Sequence, residues 1–237
     1  MVVPAAPGAP STPIHATFDI GQAMARVRTA RDRAQLLAET PRGYNPYLHL
    51  ALPNLFGGLV IAACVYNLQG PSPAQWLVVP AMVLIAIAAE WRFHRDMLHR
   101  RSPPFGVLYD YHTVSHHSIY QRGDMAIHEP RELRGILFPV WAIAALFAMT
   151  APLALALAWL LGRDAGLLLL ATAHAYLLTY EWLHLAYHLP DRWRRWWPLR
   201  PLAEWHAAHH DPRVMQHANF GVTTPLWDHV RGTARKP

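Results

Sequence analysis

Apolar residues in this chain gather into four long stretches, near residues 48–68, 74–91, 135–161 and 165–183. A helix needs about 20 residues to cross a bilayer, and each stretch is near that length. The second is short in uncharged residues; the third is long and contains Pro152, which predicts a kink. Short breaker-rich turns join the stretches in pairs, through Gln69-Gly70-Pro71-Ser72-Pro73 and through Gly162-Arg163-Asp164. The pattern predicts an all-α integral membrane protein with about four transmembrane helices in two hairpins.

Ahead of the hairpins, Asp19 to Thr40 reads as a helix capped near Asp19. Ile20, Met24, Val27 and Leu37 recur at roughly helical spacing among Arg26, Arg28, Arg31 and Arg33. A basic amphipathic helix on a membrane surface and an ordinary solvated helix both fit this pattern. Residues 1–17, rich in Pro and Ala, read as a flexible tail rather than a signal peptide. The expected organisation is this tail, a basic helix and linker over 18–47, and a membrane domain over 48–237.

Composition sharpens the picture. Hydrophobic residues make up 53% of the 237 positions and charged residues 15%, against about 25% charged in soluble domains. A soluble, disordered or collagen-like chain is thereby disfavoured. The lone cysteine, Cys64, excludes a disulfide framework and any cysteine-based metal site. The net charge of +6 is almost wholly arginine, Lys236 being the one lysine. If both hairpins enter from one side, only Arg163 of the 21 Lys and Arg lies on the other. This asymmetry places both termini in the cytoplasm. The Arg- and Trp-rich run Asp191–Pro198 fits the lipid interface better than nucleic acid, and no nucleic-acid partner is expected.

The histidines follow the same asymmetry. His94, His99, His112, His116 and His117 come after the first hairpin; His184, His188, His206, His209 and His210 come after the second. On a helix, positions four apart share a face. His112 with His116, His184 with His188, and His206 with His210 therefore each predict a two-imidazole claw, with His209 beside His206. His94 and His99, five apart, stand about 140° apart on an ideal helix and need a helix end or bend to reach one site. Ten imidazoles suit two metal ions, and imidazole alone does not choose among Fe, Zn, Cu and Ni. Glu90, Asp96, Asp110, Glu181, Glu204, Asp211 and Asp228 interleave the motifs and are candidates to accept the imidazoles' second N–H, or to act as caps and surface charges. Glu181 and His184 spell a single ExxH, whereas a carboxylate-bridged centre needs two such motifs and two further glutamates. His128, His174 and His217 stand apart from the motifs; His174, inside an apolar stretch, reads better as a hydrogen-bonded core residue than as a ligand. Asn219-Phe220-Gly221 reads as a turn, with Asn219 also a candidate to orient a ligand or water.

The order HxxxxH, HxxxHH, HxxxH, HxxHH resembles the fatty acid hydroxylase/sterol desaturase superfamily of integral-membrane, histidine-rich di-iron oxygenases. The closing segment HANFGVTTPLWDHVRGT (217–233) is similar to that superfamily's C-terminal signature, with Arg231 where Phe is common and His217 before Ala-Asn as departures. The resemblance covers about residues 74–233 and looks closest to the compact bacterial members. It implies a cytosolic helical cap, from 92–134 and 184–237, holding a di-metal site with the ten motif histidines as ligands. It also implies two iron ions, dioxygen as co-substrate, and hydroxylation of an unactivated C–H bond of a membrane lipid. Zinc, which binds nitrogen sites more tightly than ferrous iron, can take iron's place in a purified sample.

Motif spacing leaves desaturation, or another oxidative outcome on the same centre, open beside hydroxylation. A non-catalytic metal-binding or metal-transporting membrane protein is the alternative of another class. Transport sites place ionisable ligands within the spans, whereas here only His174 lies inside one. A membrane zinc peptidase would need HExxH, which is absent. Without a nucleotide fingerprint or a fused electron-transfer domain, a catalytic reading requires a separate electron donor. The Arg-over-Lys and Ala bias points to a bacterial cytoplasmic membrane.

Overall fold

A computed structural model describes residues 20–236, so the tail at 1–17 and the cap expected at Asp19 lie outside the described residues. Within them the helices follow in order: α1 (Ile20–Glu39), α2 (Pro46–Tyr66), α3 (Pro73–Trp76), α4 (Val78–Phe93), α5 (Gly106–Tyr109), α6 (His117–Ile119), α7 (Leu133–Ile136), α8 (Val140–Leu161), α9 (Arg163–Tyr187), α10 (Asp191–Arg194), α11 (Arg200–His209) and α12 (Leu226–Arg231). Local chemistry sets several ends. The Asn45 side-chain oxygen Oδ1 accepts from the N–H groups of Tyr47 and Leu48, and Pro46 opens α2 without an N–H to satisfy. Ser72 and Gln75 form a capping box at α3. Gly162 turns the chain from α8 into α9 at φ 94°, a conformation that favours glycine.

Three helical segments have the length and apolar composition of a bilayer crossing: Pro46–Tyr66, Pro73–Leu98 and Val140–Leu161. Their outer faces leave Leu52, Leu59, Ile85, Leu153 and Trp159 exposed, an apolar surface that water does not favour. The fourth expected span is helical throughout, but α9 carries His174, Glu181 and several hydroxyl side chains and does not meet the same measure. Its polarity is accommodated by position, since α9 packs against α2, α4 and α8. Gly166 on α9 abuts the Ala154 carbonyl of α8, where a Cβ would intrude on backbone. His174 donates Nδ1–H to the Leu170 carbonyl at 2.9 Å and stacks on Phe147, ring centroids 4.1 Å apart. It is a packing residue, remote from the other histidines.

One boundary differs from expectation. The third apolar stretch begins its long helix at Val140, because Gly135, Ile136 and Leu137 belong to the cap instead. That helix also runs unbroken through Pro152. At one end of the bundle both hairpin turns are tied together. The Gln69 N–H donates to Asp164, Gln75 Nε2 donates to the Leu161 carbonyl at 2.8 Å, and Arg163 reaches Asn67. The short helices and loops cover the opposite end, where Leu36, Ile119, Tyr120, Leu133, Ile136, Leu137 and Leu185 form a core joining α1, the cap and α9.

Candidate metal centre

The ten motif histidines converge beneath this cap as two buried groups. One holds His94, His99, His112, His117 and His209; the other holds His116, His184, His188, His206 and His210. Within each group one ring nitrogen per residue lies within 4.8 Å of all the others. Each group takes four histidines from one hairpin's cap segment and a fifth from the other's: His209 joins the first, His116 the second.

Two wide helical turns explain this sorting. After α4 the chain loosens into a π turn over His94–Leu98, where the His99 N–H bonds to the His94 carbonyl at 3.1 Å. A hydrogen bond spanning five residues brings positions five apart near one face, which meets the need for a bend between this pair. A second π turn over Asp110–His116 joins the His117 N–H to the His112 carbonyl. The expected claw of His112 with His116 is therefore corrected: His112 shares a group with His117, and His116, though its ring stacks on that of His112, joins the other group. His184 with His188 and His206 with His210 do share a group, at ordinary helical spacing, while His209 leaves His206 for the first group.

Backbone carbonyls fix the ring orientations. Nδ1–H groups donate from His94 to Phe220, His116 to Gly135, His188 to Met125, His209 to Ala218 and His210 to Tyr120, at 2.5–2.9 Å. Thr113 Oγ1 donates to the Leu98 carbonyl at 2.6 Å, which leaves it to accept from His99 Nδ1 at 3.2 Å. A neutral imidazole that donates through Nδ1 has a bare lone pair on Nε2. Burial, reinforced by neighbouring imidazoles, holds His117, His188, His206, His209 and His210 well below the ordinary histidine range, and burial pushes His116 down to about 4. These rings are neutral at pH 7.

Unprotonated nitrogens thus face one another. His99 Nε2 lies 3.2 Å from His94 Nε2 and 3.0 Å from His209 Nε2, and His116 Nε2 lies 3.3 Å from His210 Nε2. No proton stands between these pairs, so the contacts are not hydrogen bonds. Ligands about 2.1 Å from one ion and at right angles to each other lie about 3.0 Å apart, which is the spacing found. The donor set, its burial and the tautomers fixed at six of the ten rings fit a cation in each group.

The carboxylates act at one remove. Asp96, Asp110, Glu204 and Asp211 form ion pairs with arginines, and Glu181 is buried near the Phe138 N–H. Glu90 and Asp228 instead grip the loop that presents the Ala218 and Phe220 carbonyls. Glu90 accepts from the N–H groups of Val222 and Thr223; Asp228 accepts from those of Phe220 and Gly221 and from Trp91 Nε1. Asn219, at φ 59°, pairs with the backbone of Arg235 and serves the turn. His128 and His217 join neither group; His128 lies beside Asp124, and His217 is exposed. Sequence spacing gave no sign of Glu132, Tyr120 or Arg33, which brace the second group from outside it. Thr113 was in plain view within HTVSHH.

A narrow apolar cavity of about 30 Å³ reaches both groups. Leu98, Leu108, Ile136, Leu137 and Phe138 line it, and His112, His116 and His184 close its inner wall. Val107 and Trp141, both largely exposed, stand at its rim.

Comparison with known proteins agrees with this architecture. No curated sequence matches the chain. A solved structure of full-length Scs7p, in which only the hydroxylase domain is visible, is similar with a TM-score of 0.55 at 20% identity, over 81% of this chain and 67% of that one. At that identity the likeness speaks for the fold. The sequence profile of the family described as fatty acid hydroxylase matches residues 79–233, well over half of the chain and all ten clustered histidines, and the chain belongs to that family.

Proposed function

We propose that this protein is a membrane-bound di-iron oxygenase that hydroxylates a C–H bond of a lipid chain. The observation that carries the reading is the apolar cavity whose inner wall is built from imidazoles of both groups. A lipid carbon seated there lies against both candidate metal positions at once. Five imidazoles per group exceed the four ligands of a closed structural zinc site, which favours iron. Iron held there supplies dioxygen activation and the oxidising power to attack an unactivated C–H bond.

The chain's own residues bind, orient and exclude. Backbone carbonyls hold five of the imidazoles, those of His94, His116, His188, His209 and His210, in the tautomer that offers Nε2, and the Leu, Ile and Phe lining keeps water from the reacting carbon. No separate acid or nucleophile is needed. The tied hairpin turns, the exposed apolar faces and the one-sided arginines support four spans, α9 included, with the cap and both termini in the cytoplasm. Electrons come from a separate donor.

The test is comparative lipid analysis of cells expressing wild type or His209→Ala under ordinary and heavy dioxygen, in a host with a competent donor. A wild-type-only lipid that gains heavy oxygen is expected. A lipid lighter by two hydrogens would replace hydroxylation with desaturation. No difference between the strains would overturn the catalytic reading in favour of metal handling.

A further inference from the structure

Three of the five imidazoles in the second group donate to carbonyls on one stretch of chain. His210 takes Tyr120, His188 takes Met125 and His116 takes Gly135. That stretch contains little regular structure of its own, so something else must hold it. The support comes from α1, which lies outside the region matched by the family profile.

Arg33 is the centre of that support. Though charged, it is buried at 7% exposure. Its guanidinium donates to Glu132, to Asp124 at 3.2 Å and to the Ala126 carbonyl at 3.2 Å, and it lies over the Tyr120 ring. Glu132 carries the tie onward, accepting from the Tyr120 hydroxyl at 3.1 Å and from the His128 N–H at 2.9 Å. One turn along α1, Leu36 packs where a Cβ on Gly135 would stand, beside the carbonyl that receives His116. A buried guanidinium that spans two carboxylates and a carbonyl fixes their separation through its planar fork, which an ammonium cannot reproduce.

We propose that α1 is a working part of the metal centre and that Arg33 is a positioning residue for the second imidazole group alone. It acts through the Tyr120 and Met125 carbonyls. The first group depends instead on Glu90 and Asp228, so the two groups have separate supports. The inference rests on the reading that each group holds a metal.

The experiment uses the purified full chain, loaded with iron, and reads ions per chain and their release to a chelator. R33A, R33K and R31A are compared, Arg31 being an exposed neighbour on the same helix. Helical content is followed by circular dichroism. Loss of an outer support weakens metal binding about 10–100-fold. One of the two ions should leave R33A faster by about that factor, R33K should fall between R33A and wild type, and R31A should match wild type. Adding R33A to H210A should change little further, whereas adding it to H94A should cost both ions. Wild-type release from R33A, or equal loss of both ions, overturns the proposal. If R33A does not fold, wild-type release from R33K does the same. A wild type that holds no ions overturns the metal reading itself, which separates the two failures.

Discussion

His116 and His117 are adjacent in the chain, yet their rings serve different imidazole groups. The second π turn ends between them, so His117 looks back to His112 while His116 faces His184, His188 and His210. H116A and H117A should each reduce bound metal to about one ion per chain. The double variant should retain none, because two independent sites are damaged. H112A combined with H117A, both from the first group, should retain about one. Elemental analysis of the purified variants decides between these outcomes.

Asp228 is fully buried and holds the Phe220 and Gly221 N–H groups at 3.0 and 2.7 Å. D228N keeps the shape but replaces one accepting oxygen with a donor. Stability should drop by about 3 kcal/mol, and the first group's ion should bind about 10–100-fold more weakly. Thermal unfolding and chelator competition measure the two effects.

Gly221 has no room for a side chain, since a Cβ would meet the Thr224 carbonyl and Asp228. G221A should cost about 3 kcal/mol through overpacking, because the obstacle is backbone rather than a flexible side-chain end. A G221A protein with wild-type thermal stability would contradict the closeness of this loop.

The cavity can be filled without substituting an imidazole. L108W places an indole among Leu98, Ile136 and Phe138. Product should fall on the order of 100-fold through misplacement of the substrate carbon, while bound metal stays at the wild-type level. Loss of metal together with activity would show that Leu108 supports the centre rather than the substrate.

Acid should destabilise the metal-free protein. The cap histidines titrate below the ordinary value of 6.5 in the folded state, His116 at about 4, because burial disfavours their charged form. As pH falls below 6.5 the unfolded chain binds more protons than the folded one. Stability is therefore full above about 6.5 and declines toward pH 4, by up to about 1.4 kcal/mol per pH unit for each such residue. Urea midpoints of the metal-free protein across pH 7.5 to 4.5 should fall steadily. A flat profile would mean the rings are solvated.

The spacing of polar residues in otherwise apolar surroundings marked all ten clustered histidines, because few forces other than a shared ligand gather so many imidazoles. Their division into two groups was not legible. It depends on the π turns at His94–Leu98 and Asp110–His116, which no residue type encodes by itself. The partners of Nδ1 are unreadable for a related reason: carbonyls of Phe220, Gly135 and Met125 carry no sequence signature, while the conspicuous carboxylates Asp96, Asp110 and Asp211 pair with arginines. The hairpins are visible as apolar runs, but the third run takes in Gly135–Leu137 because the cap core is equally apolar. In sequence Arg33 reads as one more basic residue on a membrane-surface or solvated helix, since burial of a charge depends on distant Glu132 and Asp124.

The exchange of a fifth histidine between the two groups has a consequence for biosynthesis. His209 completes the group begun by residues 94–117, and His116 completes the group finished by 184–210. The first group is whole only once residue 209 has left the ribosome, and the second only once residue 210 has. Both hairpins have by then been made, so the growing chain cannot close either group early, and an ion could enter a complete group only after both hairpins exist.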